Sequence, residues 1–135
     1  MVERTDYLRK LERLKNRPLI KVLTGLRRCG KSTLLAQFSK ALASEGIAAN
    51  RIVSLNLEGG EFFDVKTYRQ LYDLVCSRLR PDVLNYVLID EVQNVSEFEK
   101  ALDALHVRPD VDLYVTGSNA KLLSGELATL LSGRY

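Results

Sequence analysis

Apolar residues in the first third of the chain recur at the spacings of a helix, a strand and a second helix. A helical spacing predicts an amphipathic helix over residues 4–16, which Pro18 terminates. Residues 19–24 form a short apolar run rich in β-forming types and predict a strand. Helical spacing resumes at Lys31 and ends at Gly46. The apolar positions of the two helices are Leu8, Leu11 and Leu14, then Leu34, Leu35, Phe38 and Leu42.

The middle of the chain alternates in the same way. Residues 51–57 (RIVSLNL) predict a second strand, and Asp64 is the expected N-cap of the helix that follows. Residues 86–91 (YVLIDE) are an unbroken apolar run closed by two acids, which indicates a strand buried on both faces. The apolar stripe of the intervening helix is Tyr68, Leu71, Tyr72, Val75 and Leu79.

The last third adds a helix, a strand and a further helical pattern. Ser96 and Glu99 match an S-x-x-E capping box for a helix, and residues 112–117 (DLYVTG) predict a fourth strand. Strands that alternate with helices are typical of a parallel sheet covered by helices on both faces, so the predicted class is α/β. The apolar positions of the two helical patterns are Phe98, Leu102 and Leu105, then Leu122, Leu123 and Leu127.

Composition sets the broad class of the protein. The 135 residues are enough for one domain with its own core, and 46% hydrophobic with 27% charged residues is typical of a globular chain. A net charge of +3 is too small to indicate nucleic-acid binding. Two cysteines, Cys29 and Cys76, do not form a disulfide framework, which favours a reducing cytoplasmic location. No apolar run approaches the roughly 18 residues of a membrane span.

Between the first strand and the second helix lies a glycine-rich loop with the pattern G-x-x-x-x-G-K-[ST]. Such a loop turns its backbone N–H groups toward phosphate oxygens, and the positive end of the next helix points to the same place. Lys31 is predicted to reach the β- and γ-phosphates, and the Ser32 hydroxyl to bind Mg²⁺. One of Arg27 and Arg28 is suited to assist the backbone in phosphate binding, and at least one of the two is expected to be solvated. The predicted nucleotide-binding residues are Gly25, Leu26, Arg27, Arg28, Cys29, Gly30, Lys31, Ser32 and Thr33.

Two acids close the apolar strand 86–91 and predict the rest of the site. A carboxylate at the tip of a buried strand next to a phosphate loop is suited to hold magnesium, and we assign that role to Asp90. The adjacent Glu91 is suited to accept a proton from an attacking water. The fourth strand ends in Thr-Gly-Ser-Asn, where Ser118 or Asn119 is expected to contact the γ-phosphate or that water; either residue is alternatively a helix cap.

These segments together resemble one family. GLRRCGKSTLL, YVLIDEVQNVSEFEKALDAL and LYVTGSNAKLLSGELATLLSGRY are similar to the AAA-type P-loop ATPases of bacteria and archaea, whose ATPase domain precedes a C-terminal domain of poorly assigned function. The resemblance covers nearly the whole chain. It implies a three-layer P-loop NTPase fold of the additional-strand, catalytic-glutamate type, in which the fourth strand separates the loop strand from the Asp90 strand. Residues 1–135 are accordingly interpreted as one P-loop ATPase domain.

Two further residues gain an interpretation from the resemblance. Gln93, in the family-like Asp-Glu-Val-Gln, either positions water, couples the site to the next helix, or is a polar residue at a helix entry. Arg134, in Leu-Ser-Gly-Arg, is either an arginine finger, in cis or across a subunit boundary, or a surface arginine.

The function that these motifs favour is Mg²⁺-dependent ATP hydrolysis, coupled to a partner or to a C-terminal domain. ATP is favoured over GTP because the chain has no N-K-x-D guanine motif. The alternatives are a nucleotide-binding switch that does not hydrolyse, or a small-molecule or nucleotide kinase. The basic residues of the N-terminal helix are interpreted as a solvated mixed-charge face, with nucleic-acid binding as the alternative.

The resemblance also implies that the chain is the N-terminal part of a longer protein. A member of the family would continue past Tyr135 with another strand, a lid and the C-terminal domain. We therefore expect the strand 19–24 to lie at an open edge of the sheet, which favours self-association through that edge.

Overall fold

A computed structural model of the chain describes residues 13, 20–23, 30–58, 60–62, 64–117 and 129–130, of which residues 23, 30–34, 61 and 129–130 are described by their backbone. These residues form three helices and five strands. In chain order they are β1 (Lys21–Leu23), α1 (Gly30–Ser44), β2 (Ile52–Asn56), α2 (Tyr68–Arg78), β3 (Asn85–Asp90), α3 (Phe98–His106), β4 (Val111–Thr116) and β5 (Thr129–Leu130).

The strands form one parallel sheet in the order β2-β3-β4-β1-β5. Strand β4 therefore lies between β1, which leads into the glycine loop, and β3, which ends in Asp90. This is the arrangement that the family resemblance implies, and the α/β class is confirmed. In the register, Val22 is opposite Val115, and Val87 is opposite Leu113.

One expectation about the sheet is wrong. Strand β1 is not at an edge, because the short strand β5 pairs with it in parallel, with Lys21 opposite Thr129 and Val22 opposite Leu130. The helical pattern through residues 122–127 gave no indication of this strand, since two residues are too few to show a period of two. The predicted self-association through an open β1 edge therefore loses its basis.

Each face of the sheet has its own hydrophobic cluster. On one face Val87 and Ile89 of β3 pack in a cluster that includes Leu71 of α2 and Leu102 of α3. On the other face, Tyr86 and Leu88 of β3 pack in a second cluster with helix α1. The buried members of this second cluster are Leu35, Phe38, Leu42, Tyr86, Leu88 and Tyr114. All six residues of β3 are buried, as the unbroken apolar run predicts.

The starts of α2 and α3 differ from the predictions. The N-cap of α2 is Thr67, whose hydroxyl accepts from the backbone N–H of Gln70 while the Gln70 side chain accepts from that of Thr67. Asp64 lies further upstream and is not the cap. Ser96 is not the cap of α3 either, because its backbone N–H donates to the carbonyl of Lys66 at 2.8 Å. The N-cap is Glu97, in the left-handed conformation and without a side-chain cap bond.

Helix α1 lies where it was predicted. Helix α1 is followed by Gly46, whose φ of +95° is the left-handed conformation expected at a helix end. Of the predicted helix over residues 4–16 the structure describes Arg13, which is helical and exposed; the helical pattern after β4 lies outside the described residues. None of the described helices has the length and apolar character needed to span a membrane.

Candidate nucleotide-binding site

The described part of the glycine motif is the first turn of α1. Strand β1 ends at Leu23 and the helix begins at Gly30, so the motif joins a buried strand to a helix N-terminus, as predicted. Lys31, Ser32 and Thr33 occupy that turn. The first backbone N–H groups of a helix have no intrahelical acceptor and carry a partial positive charge, which suits this end to an anion. The loop residues Gly25, Leu26, Arg27, Arg28 and Cys29 lie outside the described residues.

Asp90 is the last residue of β3 and is 6% exposed. Its carboxylate accepts a hydrogen bond from the hydroxyl of Thr116 on the neighbouring strand. Its backbone carbonyl accepts from the N–H of Leu57 at 3.0 Å, which joins the tip of β3 to the loop after β2. Asp90 is thus held at the carboxyl end of the sheet by strands on both sides.

Glu91 follows directly, in the left-handed conformation with φ 59° and ψ 51°. A non-glycine residue in this region costs on the order of 1–3 kcal/mol, and such residues concentrate at functional sites. The conformation is held by the Glu91 N–H, which donates to the Thr116 hydroxyl at 3.0 Å. It turns the chain sharply after the strand, so the two carboxylates belong to different local structures: Asp90 to the sheet, and Glu91 to the turn that follows it.

Thr116 was missed by the sequence reasoning, which considered only the residues after it. It is fully buried at the end of β4, and its hydroxyl donates to Asp90 and accepts from the Glu91 backbone. The register pairs Ile89 with Val115, so Thr116 stands opposite Asp90. The available signal was a hydroxyl residue in the last position of a strand that was predicted to adjoin the Asp90 strand. To identify its partner, one must also know which residues of the two strands lie opposite each other.

The Glu91 side chain has an amide partner. The Gln93 Nε2 donates to the Glu91 Oε1 at 2.8 Å. Gln93 belongs to a 3₁₀ turn, Val92–Asn94, whose Val92 is fully buried in the core cluster and whose Asn94 donates to the carbonyl of Leu57. The turn is therefore anchored on both sides of Gln93, and its amide is held against the carboxylate.

The sheet brings these parts to one edge. The carboxyl ends of β1, β4 and β3 are neighbours, because the strands are parallel and adjacent. At a spacing of about 4.8 Å between strands, the tips of β1 and β3 are roughly 10 Å apart. The chain leaving β1 leads to the N-terminus of α1, and the chain leaving β3 carries Asp90 and Glu91. The N-terminus of a helix and an acid pair therefore flank the same edge.

The donor set suits a small, hard cation. A buried aspartate is an oxygen ligand, and Mg²⁺ takes one or two protein ligands together with waters and substrate phosphates. Among the described residues no three His, Cys, Asp or Glu side chains form a metal cluster. The predicted contributions of Ser118, Asn119 and Arg134 lie outside the described residues.

Comparison with known proteins shows the family of the chain. A family model described as AAA domain matches residues 17–135. An uncharacterized protein of Haemophilus influenzae is 45% identical over 136 residues, which cover the whole chain and 34% of that protein. An uncharacterized protein of Methanocaldococcus jannaschii is 31% identical over 120 residues, which cover 85% of the chain and 24% of that protein. The chain thus spans about a third or less of the length of these relatives.

Solved structures agree on the fold. A chain of Drosophila ORC bound to DNA matches with a TM-score of 0.56 at 17% identity, over 93% of this chain and 83% of that one. A chain of C. elegans PCH-2 matches with a TM-score of 0.50 at 21% identity, over 88% of this chain and 37% of that one. With the family match over most of its length and this parallel sheet, the chain belongs to the AAA domain family of nucleotide-binding ATPases.

Proposed function

We propose that the chain binds Mg·ATP at the carboxyl edge of its sheet and hydrolyses it to ADP and phosphate. The observation that carries this proposal is the arrangement at the tips of β3 and β4. There Thr116 bonds both to the Asp90 carboxylate and to the Glu91 backbone, one strand away from the strand that leads to the glycine motif.

Each residue has a distinct role in the proposal. Backbone N–H groups at the start of α1 hold the phosphates, and Lys31 neutralises the β- and γ-oxygens. Ser32 and Asp90 would hold Mg²⁺, which when bound offsets the charge that develops on the phosphates. Glu91 accepts a proton from a water whose oxygen bonds to the γ-phosphorus. The bond from that phosphorus to the β,γ-bridging oxygen breaks, and its electron pair leaves with ADP.

The placement of Glu91 favours ATP hydrolysis over the kinase and over the switch that does not hydrolyse. A kinase excludes water and presents an acceptor, whereas a second carboxylate directly after the metal ligand is suited to activate water. A switch that only binds nucleotide has no use for a glutamate held in a strained conformation. The preference for ATP rests on the missing guanine motif.

Coupling to a partner or to a further domain is part of the proposal. The chain after Glu91 passes through the 3₁₀ turn to Ser96, which bonds to Lys66 just before α2. A change in the contacts of Glu91 on hydrolysis would therefore reach the starts of α2 and α3, where a partner could respond to it.

The test is Glu91→Gln in the full-length protein that carries this chain. The amide keeps the shape but cannot accept the proton, so steady-state phosphate release should fall by about 100-fold or more. The affinity for a fluorescent ATP analogue should change by less than about twofold. Glu99→Gln, in the first turn of α3, is the matched control and should keep the parent rate. Parent-level turnover by Glu91→Gln would reject hydrolysis through this residue and raise the kinase alternative.

A further inference from the structure

The side chain of Gln93 is only half satisfied. Its Nε2 donates to Glu91, but its Oε1 is buried and accepts no hydrogen bond from the part of the chain that the structure describes. The amide cannot simply be turned over, because a carboxylate oxygen accepts bonds and would then face another acceptor. Buried polar atoms in folded proteins are hydrogen-bonded in the great majority of cases, so an exception of this kind requires an explanation.

A buried amide of β3, the strand that leads into this turn, shows the usual situation. Asn85, at the other end of β3, is fully buried. Its Nδ2 lies within hydrogen-bond distance of the carbonyls of Arg80, Val83 and Asp110, and its Oδ1 accepts from the Arg80 N–H at 2.9 Å. Both the donor and the acceptor of the Asn85 amide are thus hydrogen-bonded, as is usual for a buried amide with a structural role. At Gln93 the fold leaves the acceptor open, two residues from the proposed base.

We propose that Gln93 is a positioning residue for the attacking water, acting together with Glu91. Its Nε2 fixes the Glu91 carboxylate, and its Oε1 accepts one hydrogen of the water whose other hydrogen goes to that carboxylate. A carboxylate has about four lone-pair sites, so the bond from Gln93 leaves Glu91 able to accept the proton. Two acceptors on one turn then define the direction of the water oxygen.

The geometry of the turn supports this role. The left-handed Glu91 reverses the chain so that the side chains of residues 91 and 93 meet, and the buried Val92 anchors the turn between them. The amide and the carboxylate therefore form one preorganised unit. Preorganisation of this kind lowers the barrier because little rearrangement remains at the moment of reaction.

The inference rests on the proposed function, and its test is built on the variant Gln93→Met in the full-length protein. Methionine has a similar length and flexibility but neither donates nor accepts a strong hydrogen bond. We expect kcat to fall about tenfold, while KM and the directly measured affinity for an ATP analogue change by less than about twofold. The matched control is Gln37→Met, the same substitution at a half-buried position of α1 away from this turn, which should keep the parent kcat.

A measurement without nucleotide separates positioning from structure. Since no described residue donates to the Gln93 Oε1, replacing this side chain should leave the thermal unfolding midpoint within about 2 °C of the parent. A structural amide would behave differently, and Asn85→Leu should lower the midpoint by more than about 5 °C. A fall in the Gln93→Met midpoint comparable with that of Asn85→Leu would overturn the inference, as would an unchanged kcat.

The double variant Glu91→Gln/Gln93→Met tests whether Gln93 acts through Glu91. If Gln93 acts through the water that Glu91 activates, its substitution should lower kcat by less than about twofold once Glu91 is gone. A further tenfold loss in the double variant would mean that the two residues act independently, against the inference. If Glu91→Gln alone keeps full turnover, the proposed function fails first. If Glu91→Gln is inactive while Gln93→Met has the parent kcat, the inference alone fails.

Discussion

Polar side chains are buried at both ends of strands β3 and β4, but they are paired differently at the two ends. At the amino-terminal side, Lys21 of β1 is fully buried against Asp112 at 2.5 Å, and the Tyr114 hydroxyl donates to the same carboxylate at 2.7 Å. At the carboxyl side, the acids Asp90 and Glu91 are held by a hydroxyl and an amide.

The two ends differ in whether their charges are of opposite sign and in whether their hydrogen-bonding groups are all paired. In the first group the Lys21 ammonium and the Tyr114 phenol both donate to the Asp112 carboxylate, and the Lys21 Nζ also lies 5.1 Å from the centre of the Tyr114 ring. The second group brings two acids together in sequence, and its amide retains an unpaired acceptor. A closed, neutralised group stabilises the fold, whereas a group of acids with an open acceptor is suited to a cation and a donor from outside. The variants below test this contrast, from the largest expected effect to the smallest.

Asp112→Ala should have the largest effect, and it should act on stability. It leaves the Lys21 ammonium buried without its carboxylate, and breaking a buried pair in this way costs about 3–5 kcal/mol. That is a large part of the stability of an ordinary domain. Urea unfolding followed by circular dichroism measures the loss.

The control removes all three polar groups of this cluster at once. In Lys21→Met/Asp112→Leu/Tyr114→Phe none of these three side chains carries a charge that must be desolvated, and such replacements of buried ion pairs are often neutral or stabilising. The triple variant should therefore recover most of the stability that Asp112→Ala loses. A loss of less than about 1 kcal/mol in Asp112→Ala would show that this end of the sheet does not depend on its buried pair.

Thr116→Val should have a smaller effect on stability and a clear effect on activity. Valine has the same shape but cannot bond to the Asp90 carboxylate or the Glu91 backbone. We expect a loss of about 1–2 kcal/mol in the free energy of unfolding and about a tenfold fall in phosphate release. Thr116→Ser keeps the hydroxyl and should retain most of both. If valine supports the parent rate, Thr116 does not organise the two acids.

The order of strands and helices follows from the sequence because each element has enough apolar residues to show its period. The fully buried β3 and the acids at its tip were predicted from one run of six residues, since both faces of a central strand must be apolar. The glycine motif was placed correctly between β1 and α1 because the apolar residues on either side show a strand and then a helix.

The errors arose where tertiary contacts override a local pattern. Ser96 fits a capping box, but its backbone N–H is used by Lys66, a residue thirty positions away, so the helix begins after Glu97 instead. Strand β5 is too short to show a period. Thr116 was missed because its role depends on which residue of the neighbouring strand stands opposite it. In each case the deciding partner is distant in sequence.

The most direct test of the central claim, that the carboxyl edge of the sheet binds nucleotide through the helix that follows β1, is a calorimetric titration of Mg·ATP into two lysine variants. Lys31 lies in the first turn of α1, and Lys40 is an exposed residue of the same helix. Lys31→Ala removes the cation matched to the β- and γ-phosphates, so the account predicts at least a tenfold weaker affinity, or about 1.4 kcal/mol. Lys40→Ala should bind as the parent does. Equal affinities for the two variants and the parent would contradict the account.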